Sequence, residues 1–186
     1  MLTQPTTTTF TIDPAHTHVD FAVRHMMISK VRGSFAGIAG SIEANSGSGF
    51  PETVAVTLAA ASIGTNTADR DAHLRSADFL DAEHFPEIRF VSTSVERTDD
   101  QHFTLNGDLT IRDTTRRVAL DGEIEGRAKD PWGNDRIAYS AVTRISRKEF
   151  GLTWNQALET GGVMVGDDID IALAVEAIAP LGTASA

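Results

Sequence analysis

Three of the chain's six histidines fall within HTHVDFAVRHM at 16–26, with Asp13 and Asp20 close by. Imidazoles and carboxylates so near one another can hold a metal ion or move a proton. On a strand, His16 and His18 share a face, and Asp20 would supply the third ligand that a catalytic metal needs. His25 has the opposite parity to His18, so the group does not converge on one point. The alternative is that His16 and His18 are satisfied by Asp or backbone groups near a strand start. There is no cysteine and no HExxH motif to support a metal, so no metal site is assigned here.

His25 follows Val19, Phe21 and Val23 on the face expected to point inward. Two readings stay open for it: a contact to the polar head of a bound ligand, or a satisfied core histidine. A second cluster, DRDAHLRSADFLD at 69–81, mixes Asp69, Arg70, Asp71, His73, Arg75, Asp78 and Asp81. It offers acid–base chemistry or, more simply, a solvated surface of ion pairs and caps. No GxSxG elbow, phosphate-cradling glycine loop, EF-hand or paired-carboxylate signature is present, and no catalytic residue is assigned. Trp132 and Trp154 both fall at expected strand ends, where either can plug an opening.

The elements that must position these residues have a period of two. GDDIDIALAVEAI alternates Ile169, Ile171, Leu173, Val175 and Ala177 with polar or small residues. HFTLNGDLTI places Phe103, Leu105, Gly107, Leu109 and Ile111 on one face. VALDGEIEG and RIAYSAVTRI repeat the pattern, and further strands are expected over 19–25, 34–43, 53–62 and 88–96. Asn106-Gly107 is a hairpin signal, yet the apolar phase runs straight through it, so one long strand with a close backbone approach at Gly107 is expected. Turns are expected at 46–51, 112–115 and 131–135. One segment departs from the pattern: residues around 67–84 read as a short helical insertion, with Asn66 or Thr67 as N-cap and Pro86 ending it.

About eight half-polar strands make a closed antiparallel barrel or a sandwich. The inward positions include Gly107, Gly122, Gly126, Ala141, Thr143 and Ala177, which favours a hollow barrel able to hold one small ligand. The rival explanation is that the glycines mark bends and tight crossings. The chain reads as one domain over 10–180, with 1–9 and 181–186 as loose termini.

Composition narrows the function further. The formal net charge is -10, from 16 basic and 26 acidic residues. That balance opposes nucleic acid, and simple electrostatics opposes anionic membrane surfaces as well. Without cysteine, disulfides and thiol chemistry are excluded. No apolar run approaches the roughly 18 residues needed to span a bilayer. No leader is visible at the N-terminus, so a cytoplasmic location is expected. A homodimer is compatible with all of this.

Taken in order, IDPAHTHVDFAVRH, VRGSFAGIAGSI, TNTADRDAHLRSADFLDAEHFPEIRF, LNGDLTIRDTTRRV, SRKEFGLTWN and GDDIDIALAVEAIAP resemble the YceI-like, polyisoprenoid-binding family from residue 10 to about 180. The resemblance implies an all-β fold: an extended, eight-stranded, lipocalin-like antiparallel barrel wrapping a long apolar ligand. It implies a non-enzymatic protein that binds, stores or transports an isoprenoid lipid such as a polyprenyl chain or isoprenoid quinone, or another long-chain amphiphile. Many members carry a leader and act in the periplasm. Inward parity and motif position nominate Phe21, Val23, Phe35, Ile38, Ile42, Phe79, Phe90, Leu105 and Leu109 for the tail, with His25 or Trp154 at the head group. An enzyme would use the same barrel as a reaction chamber, with His25 and Tyr139 as its dyad; metal or haem handling would fall to His16 and His18.

Overall fold

The computed structural model describes residues 6–179. Eleven strands follow one another: β1 (Thr7–Ile12), β2 (His18–His25), β3 (Ser29–Phe35), β4 (Ile38–Asn45), β5 (Pro51–Ala59), β6 (Ile63–Gly64), β7 (Glu87–Arg97), β8 (His102–Ile111), β9 (Thr114–Lys129), β10 (Asp135–Ser146) and β11 (Val165–Ala179). One helix, α1 (Ala68–Arg75), lies between β6 and β7. Strands β1, β4, β5, β7, β8, β9, β10 and β11 pair in that order, and β1 returns to β11. This closes an eight-stranded antiparallel barrel, as the alternating patterns predict.

The closure changes along the barrel axis. At one end β1 pairs with β11 at Thr11–Ile178 and Ile12–Ala177. Towards the other end β11 pairs instead with β2, from Ala174–His18 to Val165–His25. β2 pairs with β3, and β3 reaches the remaining wall through two residue pairs with β6, Ser34–Gly64 and Phe35–Ile63. The long strands β7 to β11 thus run the whole height, while β1 and β4 wall one half and β2 and β3 the other.

Three sequence expectations change. The strand expected over 34–43 is two strands, because β3 ends at Phe35 and β4 begins at Ile38. Gly37 lies at the break, where a Cβ would stand 2.7 Å from the Cβ of Ala59. Thr7–Thr9, expected as part of a loose end, lie opposite Asn45, Ala44 and Glu43 on β4; the expectations for 1–5 and 181–186 fall outside the described residues. Finally, β1, β3 and β6 add strands that alternation did not reveal. β3 (SKVRGSF) is polar and glycine-broken, and β6 has only two residues.

The remaining expectations hold locally. Asn106 and Gly107 lie inside β8, opposite Ala119 and Val118. The helical insertion is α1 followed by tight turns up to Pro86. Thr67 occupies the N-cap without a capping bond of its own, and Asp71 instead accepts from the amide and hydroxyl of Thr65. No helix among the described residues is long and apolar enough to cross a membrane.

Two apolar clusters fill the ends. Phe10, Ile12, Phe50, Phe103, Ile137, Tyr139 and Ala177 pack the β1–β11 end. Ile63, Phe79, Leu80, Ile88, Ile111, Ile145, Phe150 and Leu152 pack the end covered by the helical insertion.

Candidate ligand-binding site

Between these clusters runs a lumen of about 260 Å³. Its wall is Val19, Phe21, Val23, Phe35, Ile38, Ile42, Val54, Val56 and Leu58 on one side, and Leu105, Leu109, Val118, Leu120, Ala141, Ile169, Ile171, Leu173 and Val175 on the other. These are the inward positions of their strands, so the period-two pattern builds the wall directly. Leu74, Phe79 and Leu80 of the insertion cap one end. Polar side chains are few: Asp20, Arg89 and Ser140 have outward parity, and Tyr139, Thr143 and Arg147 complete the set.

Phe21, Val23, Phe35, Ile38, Ile42, Phe79, Phe90, Leu105 and Leu109 all line this lumen. The structure does not bring His25 or Trp154 to it. His25 has the inward parity of Val23 but is not part of the wall, although Val165, opposite it on β11, is; on its other side it faces Ser29 at the end of the hairpin. Trp154 stands behind Phe79 at a ring-centroid distance of 5.3 Å, with His73 edge-on to it at 4.6 Å. Sequence parity did not nominate Leu74, Leu80 and Leu152, which come from the insertion and from an irregular loop, where no period marks an inward side.

Among the small inward residues, Gly107 meets the expected close approach, Gly122 is covered rather than open, and nothing lies within 4 Å of a Cβ on Gly126. A Cβ on Gly107 would stand 2.3 Å from Cζ of Phe90, and one on Gly122 would stand 2.3 Å from Cε2 of Phe103. Gly33 is covered in the same way by Phe21, at 2.4 Å. These glycines seat aromatic rings flat against the neighbouring strand rather than leave space. The open volume comes instead from Ala141, Thr143 and the aliphatic rows.

Among the described residues, Arg147 is the one charged side chain buried at the insertion end, at 2% exposure. It donates to the carbonyls of Leu152 (2.6 Å), Gly166 (2.8 Å), Trp154 (2.9 Å) and Val165 (3.3 Å), and approaches Asp167 at 3.4 Å. Its guanidinium therefore pins the 152–154 loop against the start of β11. Burial pulls its pKa below the usual guanidinium value.

The polar cluster at the other end is also structural. Asp13, His16 and Glu176 bring ligand atoms within 4.8 Å of one another, but Arg136 donates to Asp13, Asp130 and Glu176 together. A guanidinium thus already supplies the positive charge a cation would bring. His16 pairs with Asp13 at 2.8 Å, as the simpler reading expects, whereas His18 is exposed on β2 and stands apart from the group. Within the 69–81 cluster, Arg75 donates to the carbonyls of Ala61 and Ile63, and His73 pairs with Asp78 at 2.8 Å. The Arg75 bonds fasten the insertion to the barrel rim, and the His73–Asp78 pair lies within the insertion.

Nor does the His25–Tyr139 dyad assemble. On β11 the two lie opposite Val165 and Val175, ten residues or roughly 33 Å of strand apart. The Tyr139 hydroxyl is committed to the Gly49 carbonyl at 2.7 Å, and burial pushes its pKa up.

The chain matches the family model described as YceI-like domain over residues 10–177. It is 36% identical over 170 residues to a UPF0312 protein of Staphylococcus aureus (strain USA300), covering 91% of this chain and 96% of that one. The crystal structure of the Campylobacter jejuni YCEI protein is similar at 31% identity and a TM-score of 0.74, covering 85% of this chain and 90% of that one. The polyisoprenoid binding domain from Saccharophagus degradans shares the fold at 10% identity and a TM-score of 0.67, covering 92% and 98%. With the barrel, its insertion and the family match in agreement over nearly the whole described chain, this protein belongs to the YceI-like domain family.

Proposed function

We propose that this chain is a non-enzymatic carrier or store for a long-chain isoprenoid lipid, a polyprenyl chain or isoprenoid quinone, held in the barrel lumen. One observation carries the reading: the lumen is walled by aliphatic and phenyl side chains from both halves of the barrel. Such a wall rewards apolar length. Each buried CH₂ contributes about 0.8 kcal/mol, so a five-carbon unit contributes up to about 4 kcal/mol before the cost of ordering the chain. The volume of 260 Å³ lies just under the roughly 300–1,000 Å³ of small-molecule pockets. A ligand of several units therefore spreads the wall or leaves its polar end at the mouth. The nominated residues Phe21, Val23, Phe35, Ile38, Ile42, Phe79, Phe90, Leu105 and Leu109 would contact the tail. Native mass spectrometry of gently purified protein tests this: a co-purifying prenyl lipid or quinone supports it, and a barrel that stays empty when offered such lipids overturns it.

A further inference from the structure

The β2–β3 hairpin carries a tip that folding alone does not explain. Met26, Met27 and Ile28 are 42%, 55% and 82% exposed, and Val163 on the adjoining loop is 37% exposed. Met26 and Met27 both have positive φ, 52° and 64°, and the Ile28 amide donates to the His25 carbonyl. Glycine or asparagine suits such a turn; an ordinary side chain there costs about 1–2 kcal/mol each. Two methionines thus occupy unfavourable backbone positions and are only about half buried in return. The tip is also held in place, because the Met26 amide donates to the Met164 carbonyl at 2.7 Å.

Its charge runs against that of the rest of the chain. From Asp20 to Glu43 there is no acidic residue, while Arg24, Lys30 and Arg32 flank the tip, in a chain with 26 acidic and 16 basic residues. Lys30 pairs with Asp170, and Asp167 is held by Arg147 and Lys148. Asp168 lies in the stretch of β11 facing Arg24, and Glu159 lies on the adjoining loop; Arg24 and Arg32 are exposed. At physiological ionic strength charges are felt over about 8 Å, so the balance of these local groups, and not the distant net charge, acts at a surface touching the tip. The tip stands three residues, roughly 10 Å, beyond Val23, the last wall residue of β2.

We propose that this hairpin is a wedge that docks the lid end of the barrel on a lipid bilayer carrying anionic head groups, bringing the lumen mouth to the membrane surface. The proposal rests on the reading of the lumen as a lipid chamber. The exposed Trp132 sits at the opposite end between Asp130 and Asp135, and serves as the control.

The test is co-sedimentation of the full chain with vesicles of phosphatidylcholine mixed with phosphatidylglycerol, and with pure phosphatidylcholine. The wild type is expected to pellet with the anionic vesicles and to be released by high salt. Met26→Ser/Met27→Ser/Ile28→Ser, with an unchanged melting curve, is expected to lose about tenfold or more of that binding, and Trp132→Ala none. The variant is also expected to bind a fluorescent polyprenyl lipid offered in detergent but to take it up slowly from vesicles. Absence of wild-type binding, or a triple variant that binds like wild type, overturns the proposal. So does a wild-type dimer that the triple variant converts to monomer, which would make the tip a self-association surface. Vesicle docking without any prenyl lipid binding would sink the function proposed above and leave the wedge standing.

Discussion

The ring of Phe90 on β7 covers the backbone of Gly107 on β8 so closely that a Cβ there would stand 2.3 Å from its Cζ. Any side chain at 107 must push the ring into the lumen or distort the strand. Gly107→Ala is expected to lower stability by about 1–3 kcal/mol and to reduce lipid retention, read by denaturant unfolding and native mass spectrometry on the same sample.

Filling the lumen separates ligand binding from folding. Ala141 faces the cavity between Gly122 on β9 and Leu173 on β11. Ala141→Phe should keep stability within about 1–3 kcal/mol of wild type, since open space receives the ring. The lipid retained should fall about tenfold or more, equivalent to about 1.4 kcal/mol or more of lost burial.

Arg147 gives a stability prediction with a local signature. Arg147→Leu leaves the carbonyls of Leu152, Trp154 and Gly166 without their side-chain donor, while that of Val165 keeps the Asn155 side-chain amide. A loss of about 2–4 kcal/mol is expected. Hydrogen exchange should quicken first in the 151–165 loop, ahead of β8 and β9.

The Arg136 network makes stability depend on pH in a stated direction. Burial works against ionisation of Asp130, yet bonds from Asn134, Arg136 and the Trp132 amide hold its carboxyl at about 2; that of Asp13 is lowered chiefly by His16. Both folded values lie below the unfolded value near 3.8, so their contribution is complete above about pH 4 and is lost as pH falls towards about 2. Arg136→Gln should lower Tm clearly at neutral pH. The deficit should shrink as pH falls from about 4 towards about 2, where the wild type loses the same contribution and the abandoned carboxylates become neutral.

His25 lies beyond the wall, so His25→Ala should leave lipid retention within about twofold of wild type. A larger fall would place a head group at the hairpin base.

Strand parity made most of the site legible. The rows from β8 to β11 could be read residue by residue because inward positions are mostly apolar and outward ones mostly polar or small. Val142 and Ile178 are outward exceptions, and Thr143 is an inward one. The same reasoning nominated Phe21, Val23, Ile38 and Ile42 for the wall. It was silent where period has no meaning: in the insertion, which supplies Leu74 and Leu80, and in the loop that supplies Leu152. It met the close approach at Gly107 but not the cover over Gly122, because alternation records which way a residue points and not what lies over it. Only coordinates show that Phe90, Phe103 and Phe21 lie across Gly107, Gly122 and Gly33. His25 shows the converse limit, since parity cannot say where a wall stops.

The seam between β3 and β6 sets the adjustable part of the vessel. Two seams are short: β1 meets β11 through Thr11–Ile178 and Ile12–Ala177, and β3 meets β6 through Ser34–Gly64 and Phe35–Ile63. The first is packed under Phe10, Ile12 and Ala177, whereas Ser34 is exposed and Phe35 and Gly64 are half-buried. The second therefore parts more readily and loosens the neck beside the insertion while the β1–β11 base keeps its calibre. A barrel made this way behaves as a drawstring pouch: fixed at the bottom, it takes tails of different girth by letting out one short length of hem.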